Sequence, residues 1–145
     1  MLRVLVVNNS LKGSTATIGE LIGDGLSESE IAVQVKDAPT IEKESDLAGY
    51  DAYVFGSGTY HGEMLPQMKR LLFLAEKVNL RDKVGGAFGA FGWSGEAPDR
   101  IFNTMHHILG MNMVSGPLRL KSAKKQDDQE KAREYGRQIA KRLQA

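Results

Sequence analysis

Apolar positions along the chain switch repeatedly between two periods. Residues 2–7 (LRVLVV) form a near-continuous apolar run, as in a strand covered on both faces. After a Gly/Ser-rich turn, Ile18, Leu21, Ile22 and Leu26 recur along one stripe of a helix. Residues 31–35 alternate apolar and polar, which predicts a half-exposed strand at a sheet edge, and residues 40–48 are expected to form a short helix. Residues 52–55 predict a second buried strand. Met64, Leu65, Met68, Leu71, Leu72 and Ala75 predict a helix with Pro66 in its first turn, where proline is tolerated. Residues 84–88 predict a third buried strand. Ile101, Phe102, Met105 and Leu109 repeat the helical stripe, with Gly110 placed to stop it. Residues 113–120 predict a strand whose Pro117 cannot serve a central ladder and so argues for an edge. Asp127 is expected to cap a final helix, with Glu130 three residues on and Ala132, Tyr135, Ile139 and Leu143 on one face.

Five strands alternating with helices imply an α/β three-layer sandwich. Parallel neighbours need crossovers, and these are right-handed. The two strands with edge character are the second and the fifth, which the order 2-1-3-4-5 places at the edges. At 145 residues, one domain spanning residues 1–145 is expected. Ligands in such sheets bind beyond the carboxyl ends of the strands, at the switch point between strands one and three. That directs attention to the loops after strands one, three and four.

The first of these loops holds Ser10, Leu11, Lys12, Gly13, Ser14 and Thr15 and opens into a helix. Hydroxyls and a glycine at a helix N-terminus form a nest of donors suited to a phosphate. The alternative is that Ser14 or Thr15 simply caps the helix. The second loop holds Thr59, Tyr60, His61 and Gly62, and the third Phe91, Gly92, Trp93, Ser94 and Gly95. Tyr60 and Trp93, flanked by glycines at the ligand end of a sheet, are placed to stack on a planar ring. A phosphate site facing ring platforms describes FMN. A dinucleotide would want G-x-G-x-x-G after the first strand, and a P-loop its own spacing; neither pattern is present.

Composition narrows the classes further. Cysteine is absent, which removes disulfides, thiolate catalysis and iron–sulfur ligation and suits a reducing cytoplasm. No apolar run reaches the ~18 residues of a membrane span. The N-terminal run lacks a small-residue cleavage site and reads as a strand rather than a signal peptide. Net charge is +1, weak grounds for nucleic acid as a partner. From residue 119 onward there are nine Lys/Arg and four Asp/Glu, a net of +5, against ten and fourteen before it, a net of −4. The basic tail helix is therefore a candidate docking surface, or simply a solvated face. His106 and His107 are adjacent on one helix and point to different sides, which argues against a metal site.

The loop sequences resemble a known family. Ser10-Leu11-Lys12-Gly13-Ser14-Thr15, Gly56-Ser57-Gly58-Thr59-Tyr60 and above all Gly92-Trp93-Ser94-Gly95-Glu96-Ala97 after a G-G-A-F-G strand look like a short-chain flavodoxin. They are closest to the C-terminal flavodoxin domain of flavodiiron (A-type) flavoproteins. The resemblance implies a flavodoxin-like fold with Ser10 to Thr15 on the FMN phosphate. It places Thr59 to Gly62 beside the ring, and Phe91 to Gly95 around its other side with Trp93 alongside. It implies a one-electron carrier between redox protein partners, and a backbone carbonyl in the His61–Gly62 turn that reorients on reduction, with Gly62 making the motion cheap. There are departures: loop one is not T-x-T-G-x-T, Gly58 stands where flavodiiron domains often carry proline, and free-standing flavodoxins are usually acidic. With Lys12 close and few acids nearby, the fully reduced cofactor should be easier to reach than in acidic flavodoxins. The diiron chemistry of the relatives is not implied. An FMN-dependent NAD(P)H:quinone or flavin reductase of the same fold is the main alternative. A phosphoryl-accepting receiver is set aside because Asn8, Asn9 and Gly56 stand where its acids would be.

Overall fold

The computed structural model describes residues 1–92 and 95–145. Five strand positions build one parallel sheet: β1 (Leu2–Asn9), β2 (Ile31–Asp37), β3 (Ala52–Ser57) and β6 (Val84–Ala90), with β7 (Asn112–Met113) and β8 (Leu118–Leu120) sharing the fifth. The order is β2-β1-β3-β6-β7, and β8 pairs with β6 further along. A separate hairpin, β4 (Thr59–Tyr60) and β5 (Glu63–Met64), follows β3. The helices are α1 (Ser14–Ser27), α2 (Pro66–Ala75), α3 (Glu96–Asn103) and α4 (Gln126–Gln144).

Alternation along β1 explains its continuous apolar run. Val4 and Val6 pack with Ile18, Ile22 and Leu26 of α1 and with Ala132 and Ile139 of α4. Leu5 and Val7 join Met68, Leu71, Ile101 and Met105 on the opposite face. A central strand buried on both faces has no polar side to show.

Three details differ from the sequence-based expectation. Residues 40–48 do not form a regular helix; the stretch 38–48 holds two single 3₁₀ turns, Ala38–Thr40 and Glu44–Asp46. The Asp46 carboxylate accepts the Glu42 and Lys43 amides at 2.9 and 3.1 Å, competing with helical hydrogen bonds. Arg70 of α2 pins the first turn through the Ala38 and Ile41 carbonyls. The fifth strand is split, with Ser115 at φ 55° and Pro117 in the gap. The edge position itself is as expected. Asp127 is not the cap of the last helix. Lys125 holds that position without a side-chain hydrogen bond, and Asp127 sits inside the first turn, where its charge still suits the helix dipole. The predicted stripe from Ile101 to Leu109 continues past α3 as a π-turn, Thr104–Ile108, and ends at Gly110 with φ 67°.

Candidate functional site

The carboxyl ends of β1, β3, β6 and β8 converge on a cleft of about 510 Å³, inside the usual range for cofactor sites. A concavity of about 620 Å³ between residues 115–118 and α4 is lined by Asp127, Glu130 and Glu134 against the single Lys131, a balance that disfavours an anionic ligand. Among the described residues the first cleft has no carboxylate in its wall, and Lys12 and Lys121 stand in it.

Loop one supplies one end. Gly13 adopts φ +88° as the N-terminal cap of α1, with open space where a Cβ would stand; the requirement there is conformational, not steric. Its amide donates to Ser10 Oγ at 2.9 Å, which closes the loop. No side chain caps α1. The first helical return bond comes from Thr17 to the Gly13 carbonyl, so the preceding amides face outward as donors. Thr15 does not cap; it is buried, and its Oγ1 accepts the Ala90 amide at 3.2 Å, tying loop one to the end of β6. Ser10, Leu11, Lys12, Ser14 and Thr15 all line the cleft.

Loop two is organised from behind. Ser57 is fully buried; its Oγ donates to the Gly58 carbonyl and accepts the Leu65 amide. Asn9 holds the same region, accepting the Gly58 amide on its carbonyl and the Met68 amide on Oδ1. The hairpin that follows projects Thr59, Tyr60 and His61 into the cleft wall. Tyr60 is 57% exposed, a rim position with its ring 4.4 Å from that of His61.

His61 and Gly62, the two residues of the hairpin turn, have φ of 51° and 73°. Positive φ at both defines a type I′ turn. Rotating its central peptide gives type II′, which asks for glycine at the first position. His61 stands there and glycine is second. The expectation that Gly62 makes this motion cheap therefore overlooked the residue that resists it.

Loop three contributes Phe91 and Gly92. Gly95 is not in the wall; it packs on Phe91, whose Cβ lies 3.2 Å from where a Cβ on Gly95 would be. Trp93 and Ser94 lie outside the described residues. Gly13 and Gly62 shape their loops without lining the cleft, and the Gly62 carbonyl accepts Arg100 Nε at 3.0 Å. Residues missed by sequence reasoning are Gly58, Leu65, Ala90 and Lys121. Lys121 directly follows β8, and including the loop after the fifth strand would have found it.

A family model described as Flavodoxin matches residues 6–136. The chain belongs to the flavodoxin family. FMN is that family's cofactor, and the residues present fit it: neutral donors at a helix N-terminus at one end, an aromatic rim at the other, and no carboxylate between. Among solved structures, this flavodoxin-family chain resembles a flavodoxin from the domain Archaea, with TM-score 0.93 and 30% identity over 99% of this chain and 100% of that one. It also resembles the Flv1 flavodiiron core from Synechocystis sp. PCC6803, with TM-score 0.91 and 25% identity over 99% of this chain and 36% of that one. Among curated proteins, an anaerobic nitric oxide reductase flavorubredoxin of Escherichia coli is 29% identical over 95% of this chain and 29% of its own length. The rubredoxin-oxygen oxidoreductase of Megalodesulfovibrio gigas is 25% identical over 99% of this chain and 36% of its length. The chain thus spans about a third of the curated relatives it matches. No helix among the described residues is long and apolar enough to cross a membrane.

Proposed function

We propose that this chain holds FMN in the cleft and acts as a one-electron carrier between protein partners in the cytoplasm. Bound FMN would supply the redox chemistry; the protein supplies binding, orientation and electrostatics. The observation that carries the reading is the cleft itself, donor-lined at the α1 end, rimmed by Tyr60 and Phe91, and free of carboxylates among the described residues. The amides at the start of α1, with Ser10 and Ser14, would hold the phosphate. Tyr60, His61, Phe91 and Gly92 would flank the ring. Thr15 keeps the two ends in register through Ala90. Lys12 and Lys121 put positive charge in the wall and favour an added electron.

The same charges bear on partner choice. Arg137 of α4 pairs with Glu28, Glu130 and Glu134, and Arg133 with Glu130. Across 126–144 five basic residues stand against four acidic ones, and Arg133 and Arg137 are already paired, so α4 presents little net charge to a partner. Exposed Leu11 and Tyr60 flank the lysines at the cleft mouth, so the mouth, rather than the tail helix, is the docking surface this reading favours, with an acidic redox protein as partner.

Titration of the protein with FMN, followed by flavin fluorescence and visible absorption, tests the reading. The expected result is one equivalent bound with submicromolar affinity and a fully reduced state reached at a less negative potential than in acidic flavodoxins. Failure to take up FMN at high micromolar concentration would refute it. Rapid NAD(P)H oxidation with a quinone by the pure protein would instead support the reductase alternative.

A further inference from the structure

The hairpin that borders the cleft is held from behind by the first turns of α3. The Ala97 amide donates to Thr59 Oγ1 at 3.0 Å, so a residue of loop two satisfies a donor at the start of α3. One turn on, Arg100 Nε donates to the Gly62 carbonyl at 3.0 Å and lies 3.7 Å from Glu63 Oε1. Glu96 opens the same helix. Its Oε2 is buried and, among the described residues, has no hydrogen-bond partner. It is also the nearest atom to the point a Cβ on Gly62 would occupy, at 3.8 Å. A buried carboxylate oxygen left without a donor is costly, and here it faces the turn that borders the cofactor cleft.

We propose that Glu96 and Arg100 are positioning residues that clamp the His61–Gly62 turn and, by their opposite charges behind it, set the balance between oxidised and reduced FMN. The charge half rests on the FMN reading of the cleft; the clamp half does not. Electrons added to the flavin add negative charge in front of the turn. The Glu96 carboxylate opposes that charge and the Arg100 guanidinium favours it. Arg100 holds the turn through a charge-assisted hydrogen bond from Nε to the Gly62 carbonyl, whose geometry a shorter-reaching or differently shaped head group does not reproduce.

Two measurements test this at neutral pH. Backbone hydrogen–deuterium exchange of residues 59–64, in protein without added FMN, should quicken at least threefold in Arg100→Ala; unchanged exchange overturns the clamp. Dissociation constants for oxidised FMN, combined with the two-electron midpoint potential relative to free FMN, give those for the reduced form. The ratio of reduced to oxidised affinity should rise three- to tenfold in Glu96→Gln and fall three- to tenfold in Arg100→Gln. Arg100→Lys, which keeps the charge but loses the planar fork, should leave the ratio within twofold of wild type while still quickening exchange. Shifts of the same sign in Glu96→Gln and Arg100→Gln, or no shift beyond twofold, would reduce both residues to structural supports and overturn the charge half. If wild type binds no FMN, the charge half falls with the cofactor reading, and the exchange measurement still decides the clamp.

Discussion

Substituting Tyr135 by Phe removes one oxygen from the back of the strand that carries loop three. The Phe91 amide donates to the Leu120 carbonyl, so alternate amides of β6 face the fifth strand position. At Ala87 that position falls in the gap between β7 and β8, and the ladder offers no carbonyl. The Tyr135 hydroxyl from α4 accepts the Ala87 amide instead, at 3.0 Å. Both residues are buried, and a Cβ on Gly86 would come within 2.9 Å of that hydroxyl, so the contact is close-packed. The ring stays in Tyr135→Phe, and the loss is an unsatisfied buried donor, about 2 kcal/mol. With about 2.1 cal/mol/K of unfolding entropy per residue, a chain of 145 residues should lose about 7 °C in Tm. Urea unfolding should show the midpoint falling with an unchanged slope. Alkaline pH sharpens the test, because burial pushes the Tyr135 hydroxyl up to about 12. Between pH 10 and 12 the unfolded chain has released that proton and the folded chain keeps it, so wild-type stability falls as pH rises. The variant lacks this loss, and the gap between the two proteins should close across that window. A variant within ~0.5 kcal/mol of wild type at pH 7, or a gap independent of pH, would refute the account.

Gly13→Ala meets no atom within 4 Å, so its cost is the left-handed backbone alone, about 1–2 kcal/mol; FMN affinity measured by fluorescence should fall about tenfold as loop one slackens. Gly136→Ala would place a Cβ 2.2 Å from the Ile22 carbonyl oxygen, where α4 crosses α1. Parting the helices should cost about 3 kcal/mol in urea unfolding. Lys121→Gln should weaken FMN binding at low salt and flatten the salt dependence seen in wild type, as isothermal titration would show. Hydrogen bonds from Arg137 hold the Glu28 and Glu130 carboxyls below their ordinary range, and backbone amides do the same for Asp46. The stability they add is present above that range and lost as pH falls through it; thermal melts of Arg137→Ala should show a shallower acid loss.

Much of this molecule was legible in the order of its residues. The apolar runs at β1, β3 and β6 reported burial on both faces, because a central strand under two helical layers has no polar side. Glycines and hydroxyls marked the loops, because a backbone that approaches a ligand closely needs those residue types locally. Long-range pairing decided the rest. Lys121 enters the cleft only because β8 pairs beside β6. Thr15 is a brace rather than a cap because Ala90, distant in sequence, presents its amide there. Glu96, in the first turn of α3, and Arg100, in its last, come to bear on the His61–Gly62 turn only once the hairpin is packed against that helix. Periodicity records how much of each element is covered, whereas the partner of a given polar atom depends on which segments the sheet brings side by side, and that is settled only when the chain closes on itself.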